Sequence, residues 1–146
     1  MVFRLTAGRI DPAPMLARAR QDGSGGVVLF LGRVRSDRTP QGKVRALLYE
    51  AYAPLAKQEM ARLEREAKGR WRTERIEVVH RVGVVRVGEV SVAVLVSAAH
   101  RAQAFEASRY LIDHLKAEVP IWKTDLTPGG GARSRPRRPS AGRRRA

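Results

Sequence analysis

The chain has 146 residues, 43% of them hydrophobic, with 29 Lys+Arg against 14 Asp+Glu and a formal net charge of +15. That is the length of one domain with a real core, and the charge favours anionic ligands, phosphate-bearing metabolites or nucleic acid, while saying nothing about fold. There is no cysteine, which excludes disulfides, thiolate metal sites and a cysteine nucleophile or sulfur carrier within the chain.

The charge is uneven. Seven arginines and no acid stand in residues 133–146, so residues 1–132 carry +8. Met1 to Ile10 has no apolar signal-peptide region, and no apolar run is long enough to span a membrane. A cytoplasmic protein is the expectation.

Phe3 to Ile10 reads as a short edge strand. Asp11-Pro12 is an N-cap followed by proline at the first helical position, opening a short helix to about Gln21. After the turn Asp22-Gly23-Ser24-Gly25-Gly26, the apolar run Val27-Val28-Leu29-Phe30-Leu31 predicts a buried strand. Ser36 to Gly42 is a polar loop. Val44 to Tyr52 predicts a second strand, and a helix from about Pro54 to Trp71 places Ala56, Met60, Leu63 and Ala67 on one face. Ile76 to Val82 is a third strand, Gly83 to Gly88 a turn, and Glu89 to Ser97 a strand with valines at alternate positions. A long helix from about Ala99 to Glu118 follows, with Phe105, Ser108, Ile112, Leu115 and Val119 as its inner stripe. It closes on Pro120-Ile121-Trp122-Lys123. Mixed strands and helices without strict alternation predict an α+β domain with a largely antiparallel sheet. This domain is expected over residues 1–128. Residues 129–146, rich in Gly, Pro and Arg, are expected to be a tail that is disordered when alone.

Several cations are candidates for a site. Strand alternation puts Arg33 and Arg35 on one face beyond an apolar run, as a solvated strand end or a phosphate clamp. His100-Arg101 stands at the start of the long helix, where free backbone N–H groups attract anions. His80-Arg81 lies within a strand and reads as structural. Lys116 follows the inner-stripe Leu115, which predicts partial burial and hence an amine able to accept a proton or attack a carbonyl. Trp122 beside Lys123 either stacks on a flat ring or fills the core. No spacing suggests a metal, and no resident cofactor is called for. Arg101 and Lys116 lie fifteen residues apart on one helix, so their Cα atoms are roughly 22 Å apart. Either one of them is outside the site, or the site is shared across a symmetric dimer.

The ordered set of Gly26-Val27-Val28-Leu29-Phe30-Leu31-Gly32-Arg33-Val34-Arg35, Leu48-Tyr49-Glu50-Ala51-Tyr52, His80-Arg81-Val82-Gly83, Val87-Gly88-Glu89, Ser97-Ala98-Ala99-His100-Arg101, Ala104-Phe105-Glu106-Ala107 and Leu115-Lys116 through Pro120-Ile121-Trp122-Lys123 resembles the large, catalytic subunit of molybdopterin synthase. The resemblance runs over about residues 25–125 and implies an α/β hammerhead fold and a homodimer. Each end of that dimer takes one small ubiquitin-like sulfur-carrier subunit, giving a heterotetramer. The carrier's C-terminal Gly-Gly thiocarboxylate enters a pocket and supplies two sulfurs to cyclic pyranopterin monophosphate, forming the molybdopterin dithiolene. By position, Arg33, Val34, Arg35, His100, Arg101, Lys116, Lys123, Thr124 and Asp125 match the family's substrate-site segments. Lys116 and Lys123 match its essential lysines. Thr124 and Asp125 replace a basic residue and a glutamate, and the arginine-rich tail replaces the usual C-terminal segment. Two rival readings remain: a basic nucleic-acid-binding module, resting on charge and tail, and a non-catalytic scaffold for the carrier. A further expectation places Gly129-Gly130-Gly131 in the carrier's channel when the carrier is absent.

Overall fold

The computed structural model describes residues 2–130 and the backbone of 133–134. In chain order the elements are β1 (Val2–Thr6), α1 (Pro12–Arg18), β2 (Gly26–Arg33), β3 (Arg38–Thr39), β4 (Gly42–Lys43), β5 (Ala46–Ala51), α2 (Ala53–Trp71), β6 (Arg75–Arg81), β7 (Gly83–Arg86), β8 (Val90–Ala98), α3 (Arg101–Glu118), β9 (Ile121–Leu126) and β10 (Arg133–Ser134). They form a sheet ordered β1-β6-β8-β2, a second ordered β10-β9-β5-β7, and the small hairpin β3-β4. All pairings are antiparallel except β1 with β6. The α+β architecture expected from the sequence is the one found.

Three apolar clusters hold these layers. On one face of the first sheet, α2 contributes Ala56, Met60, Leu63 and Ala67, and α3 contributes Ala107, Leu111 and Leu115; both pack on Ile76, Val78, Val92, Val94 and Val96. On the other face, Met15 and Ala19 pack on Val79, Ala93 and Leu95. β8 is therefore covered on both sides, more fully than its pattern suggests, because α1 closes the second face. Beneath α1, Glu77 is buried between Arg18 and Arg75, whose guanidinium groups donate to its carboxylate (Arg18 Nε 3.2 Å, Arg75 Nη2 3.1 Å). Burial alone would raise that carboxyl; the two arginines outweigh it and hold it below the usual range. The third cluster, Val34, Val44, Leu47 and Val85 with Tyr49, belongs to the second sheet.

Several expectations change. The first helix ends at Arg18 rather than Gln21, and Gly83–Arg86 is a strand, pairing with β5, rather than a turn. β2 is an edge strand, with Val27 and Leu31 exposed, rather than a buried one. The inner stripe of α3 is Ala104, Ala107, Ser108, Leu111 and Leu115, while Phe105 is 62% exposed. The small alanines let the helix approach the sheet closely, and the stripe turns away from the phenyl ring. The segment after Pro120 is strand β9, central in the second sheet. Gly129 and Gly130 lie beside the β3-β4 loop, where Gly129 N–H donates to Gln41 O at 3.0 Å. Gly131 lies outside the described residues, as does most of the expected tail.

Candidate active site

The first sheet hands over to the second at Val82-Gly83, where Gly83 has φ +90°, a value that favours glycine. A second junction lies at the end of β2. There Gly32 pairs with Val92 but Arg33 pairs with Val90, so Ser91 is the extra residue of a β-bulge. A Cβ at Gly32 would lie 2.7 Å from the Val92 side chain, so any larger residue there would force Val92 to shift. The bulge re-aims the chain: Arg33 is exposed, with its Nε–H donating to Gly88 O at 2.9 Å. Val34 turns inward to the third cluster, its N–H donating to Glu89 O and its carbonyl accepting from Gly88 N–H. Arg35 is exposed and pairs with Asp37 at 3.2 Å.

Tyr49 connects the parts. It stands directly opposite Lys123 in the β5-β9 ladder, so the two side chains share a face. By the same register Leu47 faces Asp125, and Leu48 faces Thr124 on the opposite side. The Tyr49 ring meets the His80 ring edge-on, with centroids 4.9 Å apart at 72°. Burial pushes the Tyr49 phenol up, the Ser91 hydroxyl partly offsets this, and the Asp125 charge adds to it. His80 is 5% exposed, and its Nδ1 lies 2.7 Å from Arg81 O. A carbonyl only accepts, so Nδ1 carries the proton and Nε2 the lone pair. Burial pulls the imidazole down to about 4, against the Arg81 carbonyl and together with the charge of Lys116. His80 is therefore neutral at physiological pH.

Topology explains why Lys116 reaches this point. α3 runs back along β8, and Leu115 joins the same cluster as Val92, the cross-strand neighbour of His80. The last turn of α3 thus lies over the end of the sheet where His80 and the bulge are. Lys116 is exposed, not partly buried as its neighbour suggested: a step of one residue turns about 100° around the helix and carries it off the stripe. Lys123 is also exposed, and Thr124 and Asp125 are half-buried.

So Val34, Lys123 and Asp125 lie about Tyr49, while Arg33 stands at the bulge and Lys116 in the last turn of α3 at the same end of the first sheet. His100 and Arg101 do not join them. They lie at the far end of β2, where a Cβ on Gly26 would meet Arg101 Cα at 3.1 Å, and both are exposed. Tyr49 and His80 were not among the site residues expected from the sequence; their only signal was their place in the Leu48-Tyr49-Glu50 and His80-Arg81-Val82-Gly83 motifs.

The result is a two-sheet α+β protein whose candidate basic site, with two lysines, lies where the sheets join. The family model described as MoaE protein matches residues 5–118. The molybdopterin synthase catalytic subunit of Thermoplasma volcanium is 43% identical over 126 residues, covering 86% of this chain and 91% of that protein. Among solved structures, molybdopterin synthase from Staphylococcus aureus superposes with a TM-score of 0.84 at 30% identity, covering 90% of this chain and 95% of that one. A chain in the complex of subunits 1 and 2 of molybdopterin-converting factor from Helicobacter pylori has the same fold, with a TM-score of 0.77 at 23% identity over 94% of this chain and 93% of that one. The chain belongs to the MoaE family, the catalytic subunits of molybdopterin synthase. Its activity is that of a sulfur-transferring enzyme subunit in molybdenum cofactor biosynthesis. Among the described residues, no helix is long and apolar enough to cross a membrane.

Proposed function

We propose that Lys116 and Lys123 are the catalytic residues of a cytoplasmic molybdopterin synthase, acting where the carrier's thiocarboxylate meets cyclic pyranopterin monophosphate. The observation that carries this is the placement of the two lysines: Lys123 on β9 stands opposite Tyr49, whose ring meets His80, and Lys116 follows Leu115 of α3, which packs in the same cluster as Val92, the cross-strand neighbour of His80. Each transfer exchanges sulfur for oxygen: the carrier arrives as R–C(O)S⁻ and leaves as R–C(O)O⁻, while one substrate carbon gains sulfur and loses oxygen. The reactants are anionic, so two ammonium groups attract them and offset charge as the acyl C–S bond breaks. Lys116 acts either by moving a proton or by trapping the acyl carbon.

Arg33, Val34 and Arg35, with Asp125, form the rest of this chain's share of the substrate site, while Thr124 lies on the opposite face of β9. His100 and Arg101 come from a second copy in a homodimer. The unpaired edge of β2 supports this, together with its exposed Val27 and Leu31 and the neighbouring Phe105. Beside them lies an apolar groove of about 280 Å³ lined by Val28, Phe30, Phe105 and Ile112. A twofold axis pairing two β2 strands antiparallel, centred between Leu29 and Phe30, sets position 33 of one copy opposite position 26 of the other. That register brings each Arg101, which lies against Gly26, to the lysine end of its neighbour.

The test is reconstitution with a thiocarboxylated carrier and the cyclic pterin phosphate. Wild-type protein yields dithiolene product. Lys116→Ala and Lys123→Ala each lose most turnover while binding the carrier normally. Normal turnover in Lys116→Ala overturns the assignment and favours the scaffold reading.

A further inference from the structure

We propose that the Arg81–Glu89 ion pair is a positioning device for Arg33, holding its guanidinium in one orientation so that it can take an oxyanion of a reactant. The inference rests on the reading of Arg33 as part of the substrate site. Arg81 closes β6 and is 8% exposed. A guanidinium keeps its charge at any working pH, so a buried one needs a carboxylate beside it. Glu89 supplies it: Arg81 Nη1 donates to Glu89 Oε2, and Nη2 donates to Ala7 O at 3.3 Å. Glu89 stands between the turn that follows β7 and the start of β8. The pair therefore fastens that turn to the end of β6.

What the pair fastens is the backbone that holds Arg33 and Val34. The Glu89 carbonyl accepts from Val34 N–H at 3.1 Å, and Gly88 N–H donates to the Val34 carbonyl at 2.9 Å. The Gly88 carbonyl accepts the Arg33 Nε–H at 2.9 Å. The turn is closed by Glu89 N–H donating to Arg86 O at 3.0 Å, with Gly88 at φ +87°. A Cβ at Gly88 would stand 3.5 Å from Arg33 Nη2, so the guanidinium lies along the turn itself. With Nε–H committed to Gly88 O, the plane of the group is set, and its Nη groups form the fork that matches phosphate or carboxylate. An exposed arginine without such support loses side-chain freedom each time it binds; this one is ordered before the ligand arrives. A merely structural ion pair could stand anywhere on the rim of the sheet, whereas this one stands at the turn whose two carbonyls hold Arg33 and Val34. The His80-Arg81 and Val87-Gly88-Glu89 stretches, separate in sequence, meet in it. The oxyanion is the cyclic phosphate of the pterin or the carrier's terminal thiocarboxylate, the two anions of the proposed reaction.

A double-mutant cycle on the full-length protein separates positioning from stability alone. The readouts are kcat and the KM for each reactant in the reconstituted reaction, with folding followed by urea unfolding. Arg33→Ala is expected to raise the KM of the reactant whose oxyanion it holds by about tenfold to a hundredfold. Glu89→Ala is expected to raise the same KM by about threefold to tenfold, with the other KM unchanged, and to add less than about twofold to Arg33→Ala in the double variant. Glu89→Gln keeps an acceptor for Arg81 and is expected to recover most of the loss. Glu89→Ala leaves Arg81 buried without its carboxylate, so Arg81→Met/Glu89→Leu takes its place in the cycle if Glu89→Ala does not fold. Effects that multiply in the double variant, a folded Glu89→Ala protein with normal kinetics, or a Glu89→Gln protein as impaired as Glu89→Ala overturn the inference while leaving Arg33 in the site. A kinetically normal Arg33→Ala overturns it together with the reading of Arg33 as a substrate contact.

Discussion

Mixing two inactive variants tests whether the site is shared between subunits. Arg101 opens α3 and Lys116 lies in its last turn, roughly 22 Å away along the axis. β2 repeats the measurement: Gly26, against Arg101, and Arg33, at the bulge, are the two ends of a strand about 23 Å long. A pterin with one phosphate is much shorter than either span. If both ends serve one reaction, Arg101 must act in the partner's site. Take Lys116→Ala and Arg101→Ala with different affinity tags, and let their subunits exchange. Each parent dimer has two defective sites. In the mixed dimer one site carries both defects and the other carries neither. Tandem-purified mixed dimers should therefore show about half the wild-type activity, and an unfractionated equal mixture about one quarter, because random pairing makes half the dimers mixed. The assay is dithiolene formation with saturating carrier, and the dimers are counted by sedimentation. Mixed dimers no more active than their parents refute the shared site, and so does a monomeric wild-type protein at full activity.

Two further predictions concern groups outside the site. Glu64 is 1% exposed on α2, both of its carboxylate oxygens lack a hydrogen-bond partner, and burial raises its pKa to about 7. The folded state therefore holds this proton more tightly than the unfolded chain. Its contribution to stability is full below about 4.5 and is lost as pH rises through about 7, a loss of up to about 3 kcal/mol. Denaturant unfolding of Glu64→Gln should show a gain over wild type at pH 8.5 that is absent at pH 4.5; equal differences at the two pH values would refute this. Ending the chain at Ser134 keeps β10 paired with β9 and removes six of the seven arginines of residues 133–146. Non-specific DNA binding should then lose as much as about 5 from its log–log salt slope while turnover is kept; loss of turnover with a normal fold would favour a role for the tail in the reaction.

Much of the fold was legible because local pattern and tertiary burial agree. Ala56, Met60, Leu63 and Ala67 recur at helical spacing, and all are fully buried in α2. Val92, Val94 and Val96, the alternate valines of β8 that follow the bulge, all pack with α2 and α3. Most of the failures in the fold share a cause, since they were decided by distant residues. Ile121 to Leu126 follows a helix and a proline and has no clear alternation; it is a strand because β5, some seventy residues earlier, supplies the ladder. Gly83–Arg86 is a strand for the same reason. The α3 stripe was placed on its larger apolar residues, whereas close packing selected Ala104 and Ala107. At the site, the cations stood out as residue types, but the Gly32–Arg33 bulge that re-aims Arg33, and the contact that makes His80 more than a strand residue, exist only once the sheets are assembled.

That assembly also explains how a chain without cysteine suits sulfur transfer. The sulfur is the carrier's, so the enzyme subunit needs to hold charge and place amines rather than supply a thiol. Two amines on separate elements stay at a useful separation only if the elements are tied together near them. Here the tie is the edge-on contact of Tyr49 with His80 at 4.9 Å, one ring from each sheet. Lys123 stands across the ladder from the first ring, and Lys116 follows Leu115, which packs in the same cluster as Val92, the cross-strand neighbour of the second. Slippage of β9 by one residue would turn Lys123 to the other face and bring Trp122 or Thr124 into its place. The six-residue β5-β9 register resists that slip, because it would also carry Asp125 off the face it shares with Leu47. The register of the second sheet thus fixes the face on which Lys123 stands beside Tyr49.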